Sequence, residues 1–417
     1  MAGQVEGLKL DAIRNLCDVL GDPQRAQPAV HITGTNGKGS VARMVTALIG
    51  AHDLTVGTFT SPDLESINER IARNDEPISD DQLAAVLTDL AAIEPVLDHR
   101  PSRFELLVGA ALRWFSDEAV QAAVIEVGLL GRWDATNVVD AEVAVLTNVG
   151  LDHTDGIGDW RRRVAAEKAG IVKPGSTFVL GETDPDLADV FADTPAARTW
   201  SRDVDFGCTA SRVAVGGRLL DLRTPEASYE EVFLPLHGPH QGDNAAIALA
   251  AVEAFFERPV APELVVEAFA AVRTPGRFEV VGREPLVVLD GAHNPDGAVA
   301  LASTLEEGFV VRGERRLVVG VLDGRDPREL LQILDAADAA EVVCCSPDSP
   351  RALPAAALAE IVAELGGRPR VAPGVGEAVH MALDAADAGD AVLVTGSLYT
   401  VGAARTACRS IAGLAVT

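Results

Sequence analysis

Lysine is almost missing from this chain of 417 residues. Of its 35 basic residues only Lys9, Lys38, Lys168 and Lys173 are lysines, and the rest are arginine. A chain that uses arginine wherever any cation serves keeps lysine where a compact ammonium, not a planar fork, is required. Positive charge is scarce overall. The 62 acidic residues leave a formal charge of −27, which argues against a nucleic-acid backbone or an anionic membrane as the main partner. The acidic average leaves ATP open, because a local cradle of amides can bind phosphate. The five cysteines, Cys17, Cys208, Cys344, Cys345 and Cys408, lack paired zinc spacing and read as reduced structural thiols. No apolar run reaches about 18 residues, so no membrane helix is expected. The opening MAGQVEGLKLDAIRN lacks the apolar core of a signal peptide, which makes the cytoplasm the expected location. There is no internal repeat and no low-complexity tract.

What is present is a long α/β pattern. The length implies two or three domains, and a hydrophobic fraction of 48% supplies ample core. Strand-like runs at Val30–Thr33, Val56–Thr60, Ala122–Val127 and Val143–Thr147 alternate with helical patterns near Ser40–Ala51, Asp80–Ala92, Phe104–Phe115 and Trp160–Ala169. That rhythm predicts a parallel sheet covered on both faces. Residues 203–236 are richer in short β-like pieces, with a hairpin expected around Gly216-Gly217, and a helix follows over Asn244–Phe256. A second series begins near Pro285. Its strands are Leu286–Leu289, Arg316–Gly320, Glu341–Cys344 and Ala391–Thr395, with helices between and after them, and it predicts a smaller Rossmann-like domain. The Pro and Gly residues from Thr274-Pro275-Gly276-Arg277 through Arg283-Glu284-Pro285 mark the expected hinge.

The densest chemical signal is AVHITGTNGKGS, Ala29 to Ser40. An apolar strand runs into Gly34-Thr35-Asn36-Gly37-Lys38-Gly39-Ser40, and an amphipathic helix follows. The glycines let backbone wrap an anion, and the open amides of the helix start point at it. Lys38 is placed to reach terminal phosphates and Ser40 to offer a hydroxyl to Mg²⁺. Gly39 stands where Ser or Thr normally follows the lysine of a P-loop. The plainer alternative is a glycine turn between strand and helix.

Further polar residues sit at the carboxyl ends of predicted strands, the edge where parallel sheets bind ligands. Ser61, in Thr60-Ser61-Pro62, fits a metal ligand or a turn. Glu126 fits a Mg²⁺ ligand or a charge at a helix start. His153, in TNVGLDHT, fits a ligand, a base or a surface histidine. Lys168 can form a carbamate with CO₂, which arginine cannot, or can simply end a helix. Asp290 and His293, in DGAHNP, and Ser397, in TGSLYT, end strands of the second series.

In this order the segments LGDPQ, HITGTNGKGS, TSPDLESINERI, EVGLLGRWDATN, TNVGLDHT, EKAGIVKPG, HGPHQGDNAA, PGRFEVV, DGAHNPDGA and VTGSLYTVG resemble the folylpolyglutamate synthase and dihydrofolate synthase family of the Mur ligase superfamily, from about Leu8 to Gly402. The resemblance implies a P-loop parallel-sheet ATP-binding domain over 1–280 and a smaller Rossmann-like ligase domain over 285–417. It implies an ATP-dependent amide ligase: ATP phosphorylates a pteroate or folate carboxylate, and the amine of L-glutamate attacks the acyl phosphate. By position, Gly34, Thr35, Asn36, Gly37, Lys38, Gly39 and Ser40 surround the phosphates. Ser61, Glu126 and His153 match Mg²⁺ ligands, and Lys168 matches a carbamylated lysine. Asn244, Arg277 and Asp290 match ATP-contacting positions, and His293 and Ser397 match positions near glutamate or the acyl phosphate. The expected partners are ATP, L-glutamate and dihydropteroate or a reduced folate, and the expected state is a monomer. Two positions depart from the family pattern. Asp63 replaces the usual His of TSPHL, and Leu130 replaces the first of the paired glycines in GLGGR. Both bear on the acceptor and keep open a Mur-type ligase acting on a non-folate carboxylate. A regulatory nucleotide binder would have lost Lys38, Glu126, His153, Lys168 or Asp290, and all five are present.

Overall fold

The computed structural model describes residues 9–151, 158–324 and 326–416. The chain divides into two compact units. Unit 1 is Met1–Asp63, Ile67–Pro235 and His240–Arg273, and unit 2 is Leu64–Ser66, Leu236–Pro239 and Thr274–Thr417.

Unit 1 is built on an eight-stranded sheet of β1 (Ala29–Thr33), β2 (Val56–Phe59), β3 (Ile71–Arg73), β4 (Glu76–Pro77), β5 (Ala122–Glu126), β6 (Val143–Leu146), β7 (Thr177–Leu180) and β8 (Arg198–Ser201), in the order β4-β3-β2-β5-β1-β6-β7-β8. All neighbours run parallel except β2–β3 and β3–β4. Every residue of β1, β2, β5 and β6 is buried, which is what near-continuous apolar runs predict for central parallel strands. The antiparallel edge ends in Glu76-Pro77, where a charge and a missing N–H discourage further pairing. The helices are α1 (Asp11–Val19), α2 (Lys38–Gly50), α3 (Asp80–Ile93), α4 (Arg103–Asp117), α5 (Trp160–Ala169), α6 (Ala188–Ala192), α7 (His240–Phe256) and α8 (Pro262–Ala271). Reciprocal capping boxes, Ser79 with Gln82 and Ser102 with Glu105, start α3 and α4 and satisfy amides left open at each helix start. A separate antiparallel sheet holds β9 (Gly207–Ala214), β10 (Gly217–Arg223) and β11 (Ser228–Leu234). Ala214 pairs with Gly217, so the expected hairpin turns at Val215-Gly216.

Unit 2 holds β12 (Glu279–Arg283), β13 (Leu286–Leu289), β14 (Arg315–Val319), β15 (Glu341–Cys344), β16 (Pro369–Val371) and β17 (Ala391–Thr395), in the order β12-β13-β17-β14-β15-β16. Only β12 runs antiparallel to its neighbour. Its helices are α9 (Pro295–Gly308), α10 (Arg328–Ile333), α11 (Ala355–Glu364), α12 (Val375–Asp384) and α13 (Leu398–Cys408). Alternate strand residues feed two cores. Val288, Leu317, Val319, Val342 and Leu393 pack with Leu301, Leu331 and Leu358. Val287, Leu289, Val318, Val343, Val392 and Val394 pack with Val379 and Val401. The two-residue period of a strand places these sets on opposite faces, so this sheet is covered on both sides.

The mixed α/β class and the parallel sheets match the sequence reading, and the differences lie at the ends of elements. Of the residues read as the hinge, Arg283 ends β12 and Glu284-Pro285 form the turn of the β12–β13 hairpin. The last helix begins at Leu398, three residues earlier than its apolar period shows, because the Ser397 side chain caps it by accepting from Thr400 N. Among the described residues no helix is long and apolar enough to cross a membrane.

One polar residue lies in the centre of the unit 1 core. His31, on β1, is fully buried, and its Nε2 lies 2.9 Å from Thr136 Oγ1. Thr136 Oγ1 donates to Asp134 Oδ1 at 2.6 Å, so Nε2 carries the ring proton and donates to the threonine oxygen. Burial, helped by the nearby Lys173 ammonium, pushes the imidazole pKa down to about 3. The folded protein therefore keeps the ring neutral, whereas the unfolded chain takes up a proton below its ordinary value of 6.5. Stability falls as pH drops below that value, by about 1.4 kcal/mol per unit. Between pH 7.5 and 5, wild type should lose about 2 kcal/mol more than His31→Gln in urea denaturation. Equal losses would mean that His31 is charged in the fold.

Candidate active site

The turn from β1 into α2 is held open by its neighbours. Thr147 N continues the sheet onto Thr33 O, and Thr35 N donates to Asn148 O. Asn36 N donates to Asn148 Oδ1 at 2.9 Å, and Asn36 O accepts from Asn148 Nδ2 and Thr147 Oγ1. Gly150 N donates to Thr35 Oγ1 at 2.9 Å. The residues after β6 thus pin the near side of the loop. Sequence reasoning misses Asn148; its signal is an amide side chain directly beyond a buried strand. The glycines are steric requirements. A Cβ at Gly34 would collide with Thr147 Oγ1, and one at Gly37, where φ is +84°, would lie 2.6 Å from Asn244 Oδ1 on α7. Asn244 is far from Gly37 along the chain, and the packing of α7 on α2 brings it to this loop.

Gly34, Thr35, Lys38, Gly128, Leu129, Leu130 and Lys168 line one pocket. Lys38 Nζ donates to Gly34 O and Thr35 O at 3.1 and 3.3 Å, so its ammonium stays over the turn. Lys168, in the last turn of α5, is only 4% exposed. Two of the four lysines in the chain therefore share this pocket. The wall at 128–130 is fixed from below: Leu129 N donates to Asp134 Oδ2 at 2.8 Å, and Thr33 Oγ1 donates to Leu130 O at 2.5 Å. Burial raises the Asp134 pKa, opposed by hydrogen bonds from Thr136, Leu129 and Gly128. Leu130 has φ +58°, a conformation that glycine adopts freely and that costs a side-chain-bearing residue about 1–3 kcal/mol. This is a physical reason for a glycine at that position.

Ser61 and Glu126 come together beside the loop. Ser61 N donates to Glu126 Oε2 at 3.2 Å, and a Cβ on Gly39 would lie 3.6 Å from the same oxygen. Ser61 Oγ is buried with no hydrogen-bond partner. An unpaired buried hydroxyl beside a buried carboxylate is a pair of hard oxygen donors, and it fits a hard divalent cation. His153, the third expected ligand, lies outside the described residues. Among those residues no three His, Cys, Asp or Glu side chains form a metal-holding group.

In unit 2, Arg277, Asp290 and His293 gather around Gly291. Arg277 Nη1 donates to Gly291 O at 3.4 Å, and His293 Nδ1 lies 2.7 Å from that oxygen, so Nδ1 carries a proton. Asp290 accepts from Phe278 N and Ala292 N at 2.7 and 2.8 Å. Burial raises its pKa, and the nearby Arg277 opposes the rise. Ser397 Oγ accepts from Thr400 N at 3.1 Å and lies 2.8 Å from Thr400 Oγ1, so it is built into the start of α13.

The Mur ligase middle domain model matches residues 32–252, and the Mur ligase, glutamate ligase domain model matches residues 276–398. A Mycobacterium tuberculosis dihydrofolate synthase/folylpolyglutamate synthase is 40% identical, over 95% of this chain and 89% of the relative. The structure of M. tuberculosis folylpolyglutamate synthase complexed with ADP and AMPPCP superposes with a TM-score of 0.91 at 39% identity, over 97% of both chains. A bifunctional folylpolyglutamate synthase/dihydrofolate synthase with Mn, AMPPNP and L-glutamate bound gives a TM-score of 0.85 at 32% identity, over 97% of this chain and 96% of the other.

Two substitutions test the geometry. Gly37→Ala places a methyl against Asn244 in a left-handed conformation that costs about 1–2 kcal/mol, and ATP affinity by calorimetry should fall at least about tenfold. Leu130→Gly relieves its own backbone but gives up packing, so the melting temperature should shift little. A large loss would show that side-chain packing, not backbone strain, dominates there.

Proposed function

Since the chain belongs to the dihydrofolate synthase/folylpolyglutamate synthase family of Mur ligases, we propose that it is an ATP-dependent ligase joining L-glutamate to the carboxylate of a pteroate or folate. The observation that carries this reading is the pocket where Lys38 and Lys168 meet the glycine turn.

A carboxylate is a poor electrophile, and phosphorylation by ATP gives it a leaving group. The amine of glutamate then displaces phosphate from the acyl phosphate, leaving an amide. The amides at the start of α2 and Lys38 are suited to the charge on the transferring phosphoryl group. Ser61 and Glu126, with His153, would hold Mg²⁺, which when bound offsets phosphate charge. Lys168 in its neutral form can add CO₂ and release a proton, and the carbamate supplies an anionic oxygen at the pocket wall. Arg277 and Asp290 are suited to the nucleotide, and His293 and Ser397 to glutamate or the acyl phosphate. The parts of the chain about 1–280 and 285–417 act as the ATPase and ligase domains in this reading.

The test is phosphate release with Mg-ATP and L-glutamate, offering dihydropteroate and tetrahydrofolate separately and recording product mass. Release that requires both acceptor and glutamate, with a product heavier by one glutamate, is the expected result. ATP binding with no product from either acceptor would overturn the folate reading. Lys168→Ala should lower kcat by about 10²–10³-fold, with partial rescue by added short carboxylates. Unchanged turnover would show that no carbamate is needed.

A further inference from the structure

Lys168 stands on the last turn of α5, and residues that continue the pocket wall cap the end of that helix. The last four carbonyls of a helix have no partner within it. Here Ala166 O accepts from Arg132 Nη2 at 3.1 Å, and Glu167 O accepts from Arg132 N at 2.8 Å and from Gly170 N at 3.2 Å. Lys168 O and Ala169 O accept from Ile171 N and Val172 N at 3.3 and 3.1 Å. Arg132 comes two residues after Leu130, which lines the pocket with Lys168. The two backbones leave no room between them. A Cβ at Gly131 would lie 2.9 Å from both Glu167 O and Lys168 O, and one at Gly170 would lie 2.8 Å from Arg132 Cα.

One side chain joins these two pieces. Asn137 lies in the short turn Ala135–Val138 and is 5% exposed. Its Nδ2 donates to Arg132 O at 2.8 Å and to Gly170 O at 3.1 Å, so each amide hydrogen serves one piece. Its Oδ1 is buried with no hydrogen-bond partner among the described residues. Turning the amide over would set that oxygen against two carbonyls, so the two donations alone fix its orientation. The Asn137 backbone is held as well: its N donates to Asp134 O at 2.9 Å, and its O accepts from Lys173 Nζ at 3.1 Å. Gly170 lies two residues beyond Lys168, a span of at most about 7 Å, so fixing Gly170 fixes the helix end that carries the lysine. All of these residues belong to unit 1.

We propose that Asn137 is a positioning residue for the ligase reaction: by bonding Arg132 O and Gly170 O with one amide, it holds the Lys168 end of α5 at a fixed place against the pocket wall. The inference rests on the ligase reading above. In that reading Lys168 adds CO₂: the nitrogen lone pair bonds the carbon, one C=O pair moves onto oxygen, and an N–H proton leaves to water. An ammonium can follow an anion on its flexible stem. A carbamate oxygen serves the reaction only at one place relative to the transferring group, so the helix end must not drift. Asn137 acts on Lys168 through the backbone of residues 168–170.

The test uses full-length protein labelled with ¹³C-lysine, in which the four lysines give separate side-chain signals. Lys168 is assigned by its loss in Lys168→Arg, and the exposed Lys9 marks an unconstrained position. Spectra in bicarbonate buffer and phosphate-release kinetics are compared for wild type, Asn137→Ala and Asn137→Ser; the serine keeps one donor and so guards the fold. In both variants the Lys168 signal should move toward that of Lys9 while Lys38 stays in place. The kcat should fall by at least about tenfold in Asn137→Ala and by less in Asn137→Ser, with the KM for ATP within about twofold. An unmoved Lys168 signal in either folded variant would overturn the proposal, whatever the change in kcat or melting temperature, and so would a moved signal with wild-type kcat. A moved Lys168 signal in variants of a wild type that forms no glutamate adduct would support the clasp while removing the ligase reading.

Discussion

The structure depends on keeping a half-buried backbone turn open. Amides that are to bind an anion must not be consumed by the fold, yet buried polar groups cannot be left unsatisfied. The chain separates the two demands. The segment after β6 takes the near side of the loop, with Asn148 bonding Asn36 on both its amide and its carbonyl. In the proposed reading the start of α2 offers its other side to phosphate. Gly34 and Gly37 are consequences, since Thr147 and Asn244 stand where their side chains would be.

Polar contacts also govern the pocket wall. Leu129 to Asp134 to Thr136 to His31 is a chain of hydrogen bonds running from the wall into the centre of β1. It ties a loop to the sheet through polar contacts, with the buried His31 Nε2 at its inner end. Burial keeps the imidazole neutral. Leu130 carries backbone strain at the same place, which the hydrogen bond from Thr33 and the packing of its side chain offset.

Much of this was legible in the amino acids. Strands β1, β5, β6 and β13 are apolar runs bounded by glycine or polar residues, and such runs specify buried parallel strands locally. The glycine turn and its lysine mark a candidate anion site, because the glycines free the backbone amides at a helix start. The scarcity of lysine made Lys168 conspicuous before any fold was known. Tertiary structure alone decided which distant groups meet. Asn148 pins the loop, Asn244 abuts Gly37, Ser61 reaches Glu126, and Glu65 pairs with Arg409 across 344 positions. None of these pairings has a local period, because each is set by the order in which strands enter the sheet and by how helices pack on it. A sequence states its local preferences residue by residue; the meeting of far segments is fixed only when the whole core is closed.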